Sequence, residues 1–191
     1  MKQLLRASAG SVHLLLLVAL SGGLTGIFSR NAQASEHDAG KIRPISARIM
    51  WTREREAEPG HFGDVVVTLS NNKTQMWTSS GGCALAKVSR TGLVGWVHGS
   101  AFHRTQGLMD HELVLAKRKH IIRRIDVEYP FINAWDFADG DSAVVIRYGA
   151  AHGPGRIGKF RINSGKLLGE CSSIEAFDAV PLWAKPFMEG Q

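Results

Sequence analysis

The chain is poor in the features that hold a protein together without a packed core. Two cysteines and six prolines in 191 residues exclude a disulfide-dense miniprotein and a proline-rich spacer. Beyond the N-terminus no apolar run approaches the roughly 20 residues of a membrane-spanning helix, which excludes a polytopic membrane protein. Gly-x-Ser-x-Gly, Ser-x-x-Lys and His-Glu-x-x-His are all missing, and with them the common hydrolase signatures. The Gly-rich stretch from Gly149 to Gly158 contains Gly-Pro-Gly in place of a phosphate-cradling loop, so it reads as a flexible connection. A sustained 3.6-residue apolar period is also missing, which predicts little helix. What is present is 44% hydrophobic and 21% charged residues, an ordinary globular composition that fits one domain.

The N-terminus has a pattern of its own. Lys2 and Arg6 precede the apolar stretch Leu14 to Leu20, a second apolar patch runs from Leu24 to Phe28, and Ala32-Gln33-Ala34 supplies a small-x-small triplet. This predicts a signal peptide over 1–34, then a flexible polar leader over 35–41. Left uncleaved, the segment would be a short anchor, but Ser21-Gly22-Gly23 interrupts it. The formal charge of +6 falls to +3 once Lys2, Arg6 and Arg30 are removed, since no acidic residue lies in that stretch. So modest a charge implies no nucleic-acid partner. The expected location is periplasmic or secreted, with no integral membrane segment after cleavage. An oxidising compartment favours a disulfide between Cys83 and Cys171, and closing so long a loop gives about 4 to 5 kcal/mol in the simplest chain-entropy picture. The alternative is two small buried hydrophobes.

From Ile42 onward the chain is a series of short β-branched and aromatic runs. They are Ile45 to Trp51, Asp64 to Leu69, Thr74 to Thr78, Cys83 to Val88, Leu93 to Val97, Glu112 to Ala116, His120 to Val127, Ile132 to Phe137, Ala143 to Tyr148, Gly158 to Ile162 and Leu167 to Cys171. Their spacing predicts strands. Ser70-Asn71-Asn72-Lys73, Ser89-Arg90-Thr91-Gly92, Ala138-Asp139-Gly140-Asp141 and Asn163-Ser164-Gly165-Lys166 supply residues that accept positive φ in tight turns. The tail from Ile174 to Met188 carries Pro181, Trp183 and Pro186 and reads as irregular, packed by its aromatics.

There is an internal echo. Segments 83–127 and 132–171 follow one plan, with Val88 matching Phe137 and Ile121-Ile122 matching Leu167-Leu168. The predicted fold is therefore all-β and antiparallel, one domain over 42–191, with two blade-like four-stranded units and an N-terminal partial sheet. That is too few units for a closed propeller, so their faces must be buried against each other or against a second copy.

The segments Lys87 to Trp96, Glu112 to Leu115, Ile132 to Phe137, His152-Gly153 and Lys159 to Leu167 together resemble a group of exported bacterial proteins without assigned chemistry. The group is marked by WD-repeat-like or Tol-type propeller strands. The likeness implies an exported β-protein and no particular activity. After Val97 the chain departs from the pattern, because His98 follows and the loop to Asp110 lacks the group's cysteine and proline signals.

Candidate chemistry is sparse. His98, His103 and His111 fall in one loop region and His152 in the equivalent region of the second unit, where neutral imidazoles could hold Zn²⁺ or Cu²⁺. Their spacing matches no defined ligand motif, so no metal and no cofactor is expected. Asp136, Asp139 and Asp141 cluster at a turn, where carboxylates commonly cap backbone groups. The positive signal is basic: Lys117, Arg118, Lys119, Arg123 and Arg124 are the expected binding residues for an envelope polyanion, with another protein as the other expected partner. Turn cations of this kind are more often simply solvated. Trp96 and Trp135 share strand faces with Val94 and Phe137, which predicts core positions over sugar-stacking platforms. The reading is a non-catalytic binding or scaffold module of the bacterial envelope. Its alternative is a metal-dependent or catalytic protein using residues around His98 to His111 and His152.

Overall fold

The computed structural model describes residues 41–50, 62–99, 101–103, 107–109, 111–150 and 153–188. The expected signal peptide, the leader up to residue 40 and His152 lie outside the described residues, as does the His103 side chain. Among the described residues the fold is all-β and antiparallel, with no sheet closed into a barrel. Among the described residues no helix is long and apolar enough to cross a membrane.

β1 (Pro44–Met50), β2 (Asp64–Leu69) and β3 (Thr74–Met76) form a first sheet in that order. β4 (Cys83–Val88) and β5 (Val94–His98) open a second sheet, which β6 (Ala101–His103) and β7 (Gly107–Met109) interrupt as a small hairpin. β8 (Glu112–Lys117) and β9 (His120–Asp126) complete it. β10 (Phe131–Ala138), β11 (Ala143–Gly149), β12 (Arg156–Arg161) and β13 (Leu167–Ser172) form the third sheet, again in chain order. The hairpin β6–β7 lies where the sequence reads as a loop after His98. Its strands are three residues each, too short to show an alternation.

The two four-stranded sheets share their irregularities. The first pair of each carries one extra residue on its first strand, between Ala84 and Lys87 in β4 and between Ile132 and Ala134 in β10. The last pair of each shifts register at Ile121-Ile122 in β9 and at Leu167-Leu168 in β13. A bulge adds local twist, so both sheets bend at matching points. The predicted turn residues adopt the expected backbone: φ is positive at Asn72, Gly92, Asp139, Gly140, Asp141 and Gly165.

Strand alternation builds the cores. One face of the second sheet gives Val94, Trp96, Val114 and Ala116 to a cluster with Val65, Val67 and Leu69 of the first sheet. Its other face gives Val97, Leu113, Leu115 and Ile125 to a cluster with Trp135, Val144, Ile146 and Phe160 of the third sheet. The outer face of the third sheet, Val145, Ile157 and Cys171, is covered by Val180, Ala184, Trp183 and Phe187 of the tail. That tail is irregular, ending in a 3-10 turn at Lys185–Phe187, as its prolines dictate.

The layering also decides the cysteines. Cys83 and Cys171 are both free and buried, one in the cluster between the first two sheets and the other beneath the tail. The expected bridge is not formed, because the second and third sheets and the core around Trp135 intervene. Each thiol fills space as a small hydrophobe.

Candidate functional site

The five expected binding cations do not converge on one site, although Lys119 and Arg124 line the same slot. Arg118 and Lys119 form the two-residue turn between β8 and β9, with φ of +51° and +68°. Lys117 precedes it, exposed. Arg123 is spent on the neighbouring sheet, donating to the carbonyls of Ile162 and Asn163. Arg124 pairs with Glu112 across the strand. The strand period sends Arg123 and Arg124 to opposite faces, so five sequence neighbours become three separate environments.

The aspartates serve structure. Asp136 pairs with Lys87 at 2.8 Å and accepts the amide of Phe137. Asp139 pairs with Lys159 at 2.7 Å. Asp141 reaches from the third sheet to the β4–β5 turn of the second, accepting the Thr91 amide at 2.8 Å. Partial desolvation raises the Asp141 carboxyl. The hydrogen bonds from Thr91 and Ser89 and the charge of Arg90 together outweigh that effect and hold it below the ordinary value.

Where β12 and β13 meet the end of β9, a cleft of about 430 Å³ is lined by Tyr129, Tyr148, Arg156 and Glu170. These groups satisfy one another: Tyr148 and Arg156 both donate to Glu170, and Arg156 donates to the Tyr129 hydroxyl. Burial, then the bond to Glu170 and its charge, pushes the Tyr148 phenol well above its ordinary range.

A second cavity is different in kind. It measures about 570 Å³ and lies between the β10 edge of the third sheet and the tail. Its apolar walls are Phe137, Val145, Trp183, Pro186 and Phe187. At its rim the Lys87 ammonium lies 5.9 Å from the Trp135 ring centroid, and that of Lys159 lies 5.9 Å from the Trp183 ring centroid. Both lysines are matched by aspartates. The remaining cation, Arg147 of β11, is not matched. It is half-buried, its Nη1 donates to the Phe187 carbonyl at 3.3 Å, and its Nε is buried without a hydrogen-bond partner among the described residues. It makes no salt bridge there either. A guanidinium in such surroundings is costly until an acceptor completes it.

Asp136 lines this cavity, but Lys87 holds its carboxylate, and His152 of the catalytic alternative lies outside the described residues. Among the described residues no group of three or more His, Cys, Asp or Glu is placed to hold a metal. Arg147 escaped sequence reasoning because it is one basic residue inside an apolar strand, and the cavity's other wall comes from the tail. Compared with known proteins, the chain matches no family model and no curated protein.

Proposed function

We propose that the protein is a non-catalytic binding module of the bacterial cell envelope, and that the cavity under its tail takes an anion with an apolar body. Export rests on the N-terminal pattern. Two successive four-stranded meanders with matching bulges support reading the sheets as blade-like units. The observation that carries the ligand class is Arg147: a half-buried guanidinium with an unpartnered Nε among aromatic and aliphatic walls. A carboxylate or phosphate would supply the missing acceptor with a charge-assisted bond, and the walls would cover an acyl or aryl group. The volume falls in the range of about 300–1,000 Å³ usual for small-ligand pockets.

Calorimetric titration with decanoate and with decanol tests this. Decanoate binds the protein about tenfold or more tightly than decanol, the difference expected of one charge-assisted bond. Arg147→Met binds the two alike. Equal binding of both compounds by the unsubstituted protein contradicts the reading.

A further inference from the structure

Between the first and second sheets, two sheets away from Arg147, a smaller slot of about 150 Å³ opens beside the β8–β9 turn. Its polar lining is Trp77, Thr78, Ser80, His98, Lys119 and Arg124, together with the buried Cys83 thiol. No aspartate or glutamate lines it. Indole, ammonium and guanidinium groups donate hydrogen bonds and accept none, so Trp77, Lys119 and Arg124 make the slot rich in donors beside the hydroxyls and the imidazole, and the Thr78 oxygen already accepts from the Val65 amide. The nearby carboxylates are already engaged: buried Asp64 accepts from the hydroxyl of the lining residue Thr78 at 3.2 Å and from the Gly81 amide at 2.8 Å, and Glu112 holds Arg124 from the neighbouring strand. Burial is the main cause that raises the Cys83 thiol, keeping it neutral and adding no negative charge.

One donor is stranded. The Trp77 Nε1 is buried without a hydrogen-bond partner among the described residues. A buried indole N–H normally finds an acceptor, and an orphan marks the place of a missing one. Lys119 is carried over the slot by the positive-φ turn and makes no ion pair among the described residues.

We infer that this slot is a second binding site, taking a single oxyanion group of the phosphate or sulfate type between the Trp77 indole N–H and the cations of Lys119 and Arg124. It is independent of the Arg147 cavity in position and in ligand, since a slot of 150 Å³ has no room for an acyl or aryl body. The basic turn that stands out in the sequence acquires a role through two of its five cations, while Arg123 remains structural.

The test is calorimetric titration of the purified protein at low ionic strength with inorganic phosphate and, separately, with glycerol phosphate. Saturable binding of either supports the site, and the ratio of the two affinities tells a free ion from an esterified group. Trp77→Phe keeps the ring and removes the donor, and it weakens binding about tenfold, as expected for one bond to a charged group. Lys119→Gly suits the positive-φ backbone, so its equal loss of affinity cannot come from unfolding. Arg147→Met leaves the part of phosphate binding that depends on Trp77 and Lys119 unchanged. The inference is overturned if neither compound binds saturably, or if Arg147→Met abolishes binding while Trp77→Phe and Lys119→Gly retain it.

Discussion

Trp135 joins the second and third sheets by both its ring and its N–H. It is fully buried, meets Phe137 edge-on at 5.1 Å, and its Nε1 donates to the Leu85 carbonyl at 2.8 Å. Leu85 lies in the β4 bulge at φ +50°, which turns that carbonyl away from its own sheet toward the indole. Gly95 completes the seat: a Cβ there would come within 2.4 Å of the ring. Trp135→Ala therefore lowers stability by about 3–5 kcal/mol, read from the urea midpoint, and Trp135→Phe by about 1–3 kcal/mol through the orphaned carbonyl. Asp141 gives a pH dependence. Its folded-state pKa is lowered, so its contribution is present above the unfolded value near 3.9 and is lost as pH falls from there through the folded value. Asp141→Asn flattens the acid limb of the stability profile, and an unchanged limb would refute this. At this scale the sequence was partly legible. Trp96 and Trp135 are core because Val94 and Phe137 lie two positions away on the same faces. Trp77 and Arg147 were illegible as site residues, because being left without a partner depends on neighbours from distant segments.

At the scale of elements, the strands follow from alternation and the hairpins from turn chemistry, and both were readable with boundaries shifted by a residue or two. The shifts have a cause: Val94 and not Leu93 opens β5, because Leu93 still closes the turn through its amide bond to the Ser89 hydroxyl. β6 and β7 escaped because three residues cannot display a period. Among the described turns, β8–β9 is the one whose residues work against its backbone, since Arg118 and Lys119 both adopt positive φ without being Gly, Asn or Asp. Replacing the pair by Asn-Gly stabilises the protein by about 1 kcal/mol, measured as a rise in the denaturant midpoint. A fall would mean that the two side chains make stabilising contacts.

Across the described residues, three sheets and a tail stack so that both faces of the second and third sheets carry apolar clusters against a neighbouring layer, and the layering fixes what the cysteines and the cavities are. With Cys83 and Cys171 in separate layers, protein unfolded without reductant takes up two equivalents of iodoacetamide by mass, while the native protein resists alkylation. Absence of adducts after unfolding would contradict the layering. The order of strands along the chain was readable because each sheet is built from consecutive runs. The closing layer was not, since nothing local says that Trp183 and Phe187 return to Val145 and Arg147. That return creates the Arg147 cavity, whose role as a ligand site is the central claim. Thermal unfolding of the protein and of Arg147→Met, each with and without decanoate, tests it most directly. A half-buried charge kept for a ligand is a burden on the empty fold, so Arg147→Met melts at the same temperature or higher without ligand and loses the rise that decanoate gives the unsubstituted protein. A variant that melts lower yet keeps that rise would show that Arg147 serves the fold and not a ligand.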